Sequence, residues 1–264
     1  MNADTVAQRL QQAPLDVVGR FADASNATLL VRLTDADPRD LAQLTADLGR
    51  EPGLDDLDPD DLAVYKPRRG EAPLWDFPTG TLHRREVAAY EVSAGLGWDL
   101  VPTTVLRTDG PFGVGSLQRF VPHDPEEHYF TLLERGDDEL RAQLTAMVLF
   151  DLLIDNADRK GGHVLLTERA TRPTIQLVDH GVSFNVERKL RTVGWDLAGE
   201  PVPEALRDDL VRFRRTFDDT LGPRLVELLT DAEVAVFAAR LDHTVTMATL
   251  PAPMGNYPYP WPLL

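Results

Sequence analysis

Two short stretches of this chain carry residue types suited to chemistry: 155–163, Asp-Asn-Ala-Asp-Arg-Lys-Gly-Gly-His, and 177–181, Leu-Val-Asp-His-Gly. Each stands beside an apolar run, and the second aspartate follows about twenty residues after the first. A carboxylate in an Asp-Arg pair can orient and deprotonate a hydroxyl. A second carboxylate in an Asp-X-Gly turn can hold a divalent cation, and phosphotransferases place the two side by side in this way. The spacing predicts a chain that binds ATP.

These carboxylates need elements to carry them. Leu140, Leu144, Met147, Val148 and Leu152 make an apolar stripe on a helix expected over 139–154, which delivers the chain into the Asp158 loop. Strands expected at 164–166 and 174–178 then return Asp179 towards Asp158. Upstream the pattern is β-rich. Strands are expected at 15–20 and 28–33 around an Ala-Ser-Asn-Ala turn, at 62–67 ending in Lys66-Pro67, and at 101–106 and 115–121 around Thr108-Asp109-Gly110-Pro111. A helix is expected over 82–96, with Val87, Tyr90 and Ala94 on one face. Helices are expected again at 204–217, 223–229 and 232–246, the last opened by a Thr230-X-X-Glu233 capping box. A short helix at 38–48 falls inside an acidic insert, 35–61. The proline-rich 251–264 cannot be helical, and its Tyr257, Tyr259 and Trp261 suit docking on a partner or on the chain's own surface.

Composition narrows the chemistry. With no cysteine among 264 residues, disulfides, thiolate metal sites and thiol catalysis are excluded. A formal charge of -16 opposes a surface built for nucleic-acid phosphates or anionic lipid. No run of about 18 apolar residues is present, and the first ten residues lack the basic start and apolar centre of a signal peptide. A cytoplasmic protein is expected, with no nucleic-acid partner and no stable membrane insertion. Arg68-Arg69, Arg84-Arg85 and 188–191 are small basic clusters suited either to solvent or to substrate phosphate.

Taken in order, Tyr65-Lys66-Pro67-Arg68, Glu86-Val87-Ala88-Ala89-Tyr90, Val101-Pro102-Thr103-Thr104, Gly115 to Val121, Asn156-Ala157-Asp158-Arg159 and Val178-Asp179-His180-Gly181 resemble the phosphatidylinositol 3-/4-kinase superfamily. The similarity is nearest to its type II 4-kinase branch and bacterial relatives of that branch, and spans roughly residues 15–200. It implies an α+β, two-lobed protein-kinase-like fold, with a β-rich N-terminal lobe over 1–120 and a mainly helical C-terminal lobe over 121–264.

The resemblance also implies roles. Lys66 would meet the α- and β-phosphates of ATP, held by Glu86 on the facing helix. Ser25 and Asn26 would lie in the loop covering the phosphates. Gln118, Phe120 and Val121 would form the adenine-facing hinge. Asp158 would act on the acceptor hydroxyl, and Lys160 would neutralise charge on the transferring group. Arg159 is expected to brace the loop through buried contacts, and His180 to be structural. Arg191 and Trp195 fall where the family contacts its acceptor, with core packing as the rival role for Trp195.

Asp179 would hold Mg²⁺ or Mn²⁺. The chain departs from the family at His163, where an asparagine would supply an amide oxygen to a second metal. Imidazole suits Mn²⁺ better than Mg²⁺, so His163 implies either an altered metal preference or a packing role. The expected activity is transfer of the γ-phosphoryl group of ATP to a hydroxyl on a lipid headgroup, a protein or a metabolite. Two alternatives stay open: a catalytically weak nucleotide-binding pseudokinase or sensor with a protein partner, and nucleotidyl transfer.

Overall fold

The computed structural model describes residues 3–21, 26–34, 57–167 and 172–264. Most of the acidic insert, the expected helix at 38–48 and Ser25 lie outside the described residues. Two compact units emerge, one of residues 1–87 with 102–121, the other of residues 88–101 with 122–264.

The first unit is a five-stranded antiparallel sheet covered by a helix. Strands β1 (Leu15–Arg20), β2 (Leu29–Leu33), β3 (Leu62–Pro67), β4 (Thr104–Gly110) and β5 (Gly113–Arg119) pair in the order β1-β2-β3-β5-β4. Helix α1 (Ala3–Gln12) packs on β4 and β5 and brings Leu10 into a core with Leu15, Val17, Val31, Tyr65 and Leu117. Arg107 of β4 fastens it by donating from Nη1 to the Leu10 carbonyl at 2.8 Å. Helix α1 is not among the elements expected from the sequence.

The β4–β5 hairpin is tighter than expected. Both strands run into the expected turn, leaving Pro111 and Phe112 to connect them. A register shift between Arg107 and Gly110, with Gly113 at φ 93°, absorbs the twist. Tyr65 explains the small residues here. Its buried ring lies where a Cβ on Gly110 or Gly115 would come within 2.6–2.7 Å of it, and its hydroxyl donates to the Gly113 carbonyl. Upstream, Pro102 has no amide proton to give a ladder, and β4 begins at Thr104.

The second unit is built around α4 (Asp138–Ile154), opened by the Asp137 side chain accepting from the amides of Glu139 and Leu140. From Leu144 to Ile154 every residue is buried, so this helix forms the centre of the unit and not its surface. Around it lie the C-terminal part of α2 (Leu82–Leu96), α3 (Tyr129–Glu134), the hairpin β6 (Val164–Thr167) and β7 (Thr174–Leu177), and helices α5 (Glu204–Phe217), α6 (Leu221–Leu225) and α7 (Asp231–Val245). Thr230 and Glu233 form the expected capping box at the start of α7. Among the described residues no helix is long and apolar enough to cross a membrane.

His83, in the first turn of α2, is buried in the first unit, and its Nδ1 finds no hydrogen-bond partner among the described residues. Burial, with Arg84 and Arg68 nearby, pushes it down to about 4. The folded state therefore holds it neutral where the unfolded chain protonates it. This contributes stability that is present above about pH 6.5 and lost as pH falls towards 4, on the order of 3 kcal/mol in full. Urea titrations between pH 4 and 7 should show His83→Gln with a shallower acid loss of stability than the parent chain.

Candidate functional site

In the first unit, Lys66 is the penultimate residue of β3 and α2 carries Glu86. Their side chains meet at 2.5 Å, with the carboxylate buried and the ammonium about one-fifth exposed. The pairing follows from chain geometry: the pleat of β3 points Lys66 to the face opposite the buried Tyr65, and Glu86 lies on the buried side of α2. Glu71 sets the entry to that helix, accepting from the amides of Gly80 and, at 3.0 Å, Leu82. A carboxylate at a helix N-terminus satisfies amides that otherwise lack partners.

Asn26 and Ala27, which lead into β2, are tied to the same loop. Asn26 Oδ1 accepts from the Ala72 amide at 2.7 Å, and the Ala27 amide donates to the Gly70 carbonyl at 3.0 Å. A Cβ on Gly70 would stand 2.0 Å from that of Ala27, so this approach requires glycine. Asn26 thus joins the approach to β2 to the segment following Lys66. Of the residues expected to form a hinge, Gln118 is buried and donates to Thr104 Oγ1 at 2.9 Å. The amides of Arg119 and Phe120 are committed to the carbonyls of Thr103 and Leu62, and Val121 is buried.

In the second unit the loop after α4 is organised by one ion pair. Arg159 and Asp151 are both 0% exposed, with the guanidinium Nε donating to both carboxylate oxygens at 3.1 and 3.2 Å. Arg159 also donates to the Val178 carbonyl at 2.7 Å, lies 2.8 Å from His180 Nε2, and reaches the His163 carbonyl. Asn156 and Thr192 complete the acceptor capacity of Asp151 at 3.2 and 3.1 Å. Arg159 and His180 therefore have the bracing and structural positions expected of them.

Asp151 and Thr192 were missed. The available signal was a single carboxylate within the apolar run 146–154, where an acid demands a buried partner.

This frame holds the remaining site residues. Asp158 closes a turn, its amide donating to Asn156 Oδ1 at 3.0 Å. Its carboxylate meets Lys160 Nζ at 3.3 Å and is about one-third exposed. Burial raises its pKa, and Asp179 raises it further, against the opposing pull of Lys160 and Arg191. A carboxylate so raised and still part-exposed is a stronger proton acceptor than a free one.

Asp179 adopts a left-handed backbone at φ 60°, a conformation that aspartate tolerates better than most side chains, and its carboxylate is half exposed. His163 Nε2 lies 3.6 Å from Asp179 Oδ2, while Nδ1 is placed to accept from the Lys160 amide at 3.4 Å. That assignment puts the imidazole proton on Nε2, facing Asp179. A cation on this aspartate therefore shares or displaces the His163 contact. Among the described residues no group of three or more histidine or acidic side chains converges as a metal site. An Asp179 carboxylate with phosphate oxygens still suits a hard divalent cation, which usually takes few protein ligands.

Trp195 is buried, donating from Nε1 to the Pro258 carbonyl at 2.7 Å, so packing claims its side chain. Arg191 contributes its backbone to the loop, accepting from the Arg159 amide and donating to the Asn156 carbonyl.

Replacing Arg159 by methionine strands the Asp151 charge and should cost about 3–5 kcal/mol in urea unfolding. The double change Asp151→Leu, Arg159→Met should cost less than Arg159→Met alone, a sign of coupling readable in a double-mutant cycle.

No family model matches the chain. Among solved structures, the Golgi casein kinase superposes with a TM-score of 0.55 at 13% identity, covering 92% of this chain and 74% of its own. The same kinase with Mn/ADP bound gives 0.53. The Helicobacter pylori proinflammatory kinase CtkA gives 0.51 at 13% identity, covering 90% and 94%. These likenesses establish the expected two-lobed, kinase-like α+β fold. Protein Rv2133c of Mycobacterium tuberculosis is 35% identical over an alignment covering 96% of this chain and 93% of the relative, and the chain belongs to the family of that protein.

Proposed function

We propose that this protein is an ATP-dependent phosphotransferase, related in its motifs to the phosphoinositide kinases, that moves the γ-phosphoryl group to a hydroxyl. The observation that carries the reading is the loop fixed by Arg159. It presents two part-exposed carboxylates, Asp158 and Asp179, near enough for each to feel the other's charge, in a chain of kinase-like fold. The Lys66–Glu86 pair supplies the cationic contact that phosphates need.

In this reading Lys66 binds ATP phosphate oxygens while Glu86 keeps the ammonium charged and aimed. Asp158 accepts the acceptor hydroxyl's proton as its oxygen bonds to the γ-phosphorus and the bond to the β-bridging oxygen breaks, releasing ADP. Lys160, paired to Asp158, offsets charge on the transferring group. Asp179, with His163 beside it, is the residue that would hold Mg²⁺ or Mn²⁺, which would supply positive charge against the phosphates. The Mn/ADP-bound casein kinase structure supports a nucleotide with a divalent cation on this fold.

A second reading, a nucleotide-binding regulator of low turnover, draws on His163. Its contact with Asp179 competes with metal there.

With ATP and either Mg²⁺ or Mn²⁺, ADP release should be measurable and should fall by about 10²–10⁴-fold in Asp158→Ala. Intact mass should show phosphate-sized additions only. An AMP-sized addition would favour nucleotidyl transfer, and ADP release unaffected by Asp158→Ala would sink the assignment. His163→Asn should raise the Mg²⁺-supported rate relative to Mn²⁺, whereas full Mg²⁺ activity in His163→Ala would reduce His163 to packing.

A further inference from the structure

The chain from 256 to 264 runs over the two segments that the kinase reading places on the acceptor side. Residues 191–193 are bonded along one edge to the catalytic loop: the Arg159 amide donates to the Arg191 carbonyl at 3.0 Å, and the Val193 amide donates to the Arg159 carbonyl at 3.1 Å. Alternate backbone groups of an extended strand point to opposite edges. The Thr192 amide accordingly faces the other way, and there it donates to the Pro258 carbonyl at 3.1 Å. Trp195 Nε1 donates to the same oxygen at 2.7 Å. Five residues later the Leu263 carbonyl accepts from the Gly161 amide, at 2.7 Å, inside the loop between Asp158 and His163.

The side chains of this segment contribute little. Pro260 is buried, but Tyr257 is 80% exposed and Trp261 89%. A segment held mainly by main-chain carbonyls, with one apolar side chain buried, is bound as peptide backbones are bound. The segment is bonded to Thr192, which pairs with Arg159, and to Gly161, three residues after Asp158, so it lies beside the loop that carries Asp158. The carboxylates of Asp158 and Asp179 stay part-exposed, so the segment leaves the metal-binding carboxylate open.

We infer that residues 258–263 occupy an acceptor track built for an extended polypeptide. The phosphoryl acceptor is then a hydroxyl side chain of a peptide, and the segment is its internal competitor. The inference rests on the kinase reading and names its substrate class. Displacing the segment leaves the Thr192 amide, the Trp195 indole and the Gly161 amide in need of carbonyl partners. An incoming peptide backbone offers them.

Pro260→Asp, made in the full chain, places a charge in the one buried side-chain position and should release the segment. Hydrogen exchange at Thr192 and Gly161 should accelerate about tenfold, and a synthetic peptide of residues 255–264 should slow it again. ADP release with ATP and Mn²⁺ should rise roughly fivefold with nucleotide affinity unchanged, since competition for the acceptor side is relieved. Leu264→Asp, at a mostly exposed residue against Gly161, should act in the same direction if the first variant fails to fold.

Exchange that the peptide does not slow, or a fall in ADP release, makes the segment a structural brace and overturns the proposal. Re-protection by the peptide without ADP release from either protein overturns the kinase reading, and with it the peptide's role as acceptor.

Discussion

The second unit depends on a charge pair that water never reaches. Burying Asp151 and Arg159 together costs several kcal/mol per ion before their attraction is counted, and such a pair survives only when its hydrogen-bonding capacity is filled. Here it is filled by segments distant in sequence: Asn156, the carbonyls of His163 and Val178, His180 and Thr192. The pair thus fixes where the loop after α4, the end of β7 and the 191–193 segment lie. Burial pushes the Asp151 carboxyl up while Arg159, Thr192 and Asn156 pull against it. If any of these elements moves, a buried charge or donor is left without its partner. The positions of Asp158 and Asp179 follow from that constraint, with Lys160 and His163 as their own side-chain contacts.

The first unit solves a similar problem at smaller scale. Glu86 is buried on α2 and Lys66 is its cation. Glu71 holds the start of the helix, and Asn26 and Gly70 hold the approach to β2 to the loop between. One helix, one strand end and one strand approach are therefore mutually fixed through polar groups. This is the kind of fixed polar environment that phosphate recognition needs, because donors already in place need no reorganisation when charge arrives.

Much of this was legible in the sequence because the elements follow simple periods. The strand carrying Lys66, the helix over 82–96 and the helix over 204–217 have the expected bounds, each set by a residue such as Pro67, Gly97 or Pro203 that ends or opens an element. The paired aspartates were legible through spacing. Less legible was whatever depends on tertiary partners. Helix α1 is short and buries only Leu10 fully, and Arg107, far away in sequence, secures it as well. Asp151 reads as a blemish in an apolar run until Arg159 is placed against it. The proline-rich segment had two roles open from composition, and its main-chain bonds to Thr192 and Gly161 place it on the chain's own surface. The left-handed turn at Asp179 has no signature in residue types alone.

Division of labour between the two aspartates is the central claim, and equilibrium nucleotide binding tests it most directly. Titrating ATP against the full chain with and without Mn²⁺ should give a metal-dependent gain in affinity for the unaltered protein. Asp158→Asn should retain that gain, and Asp179→Asn should lose most of it, by about tenfold or more. Equal behaviour of the two variants, or affinity indifferent to metal in all three proteins, would contradict the account.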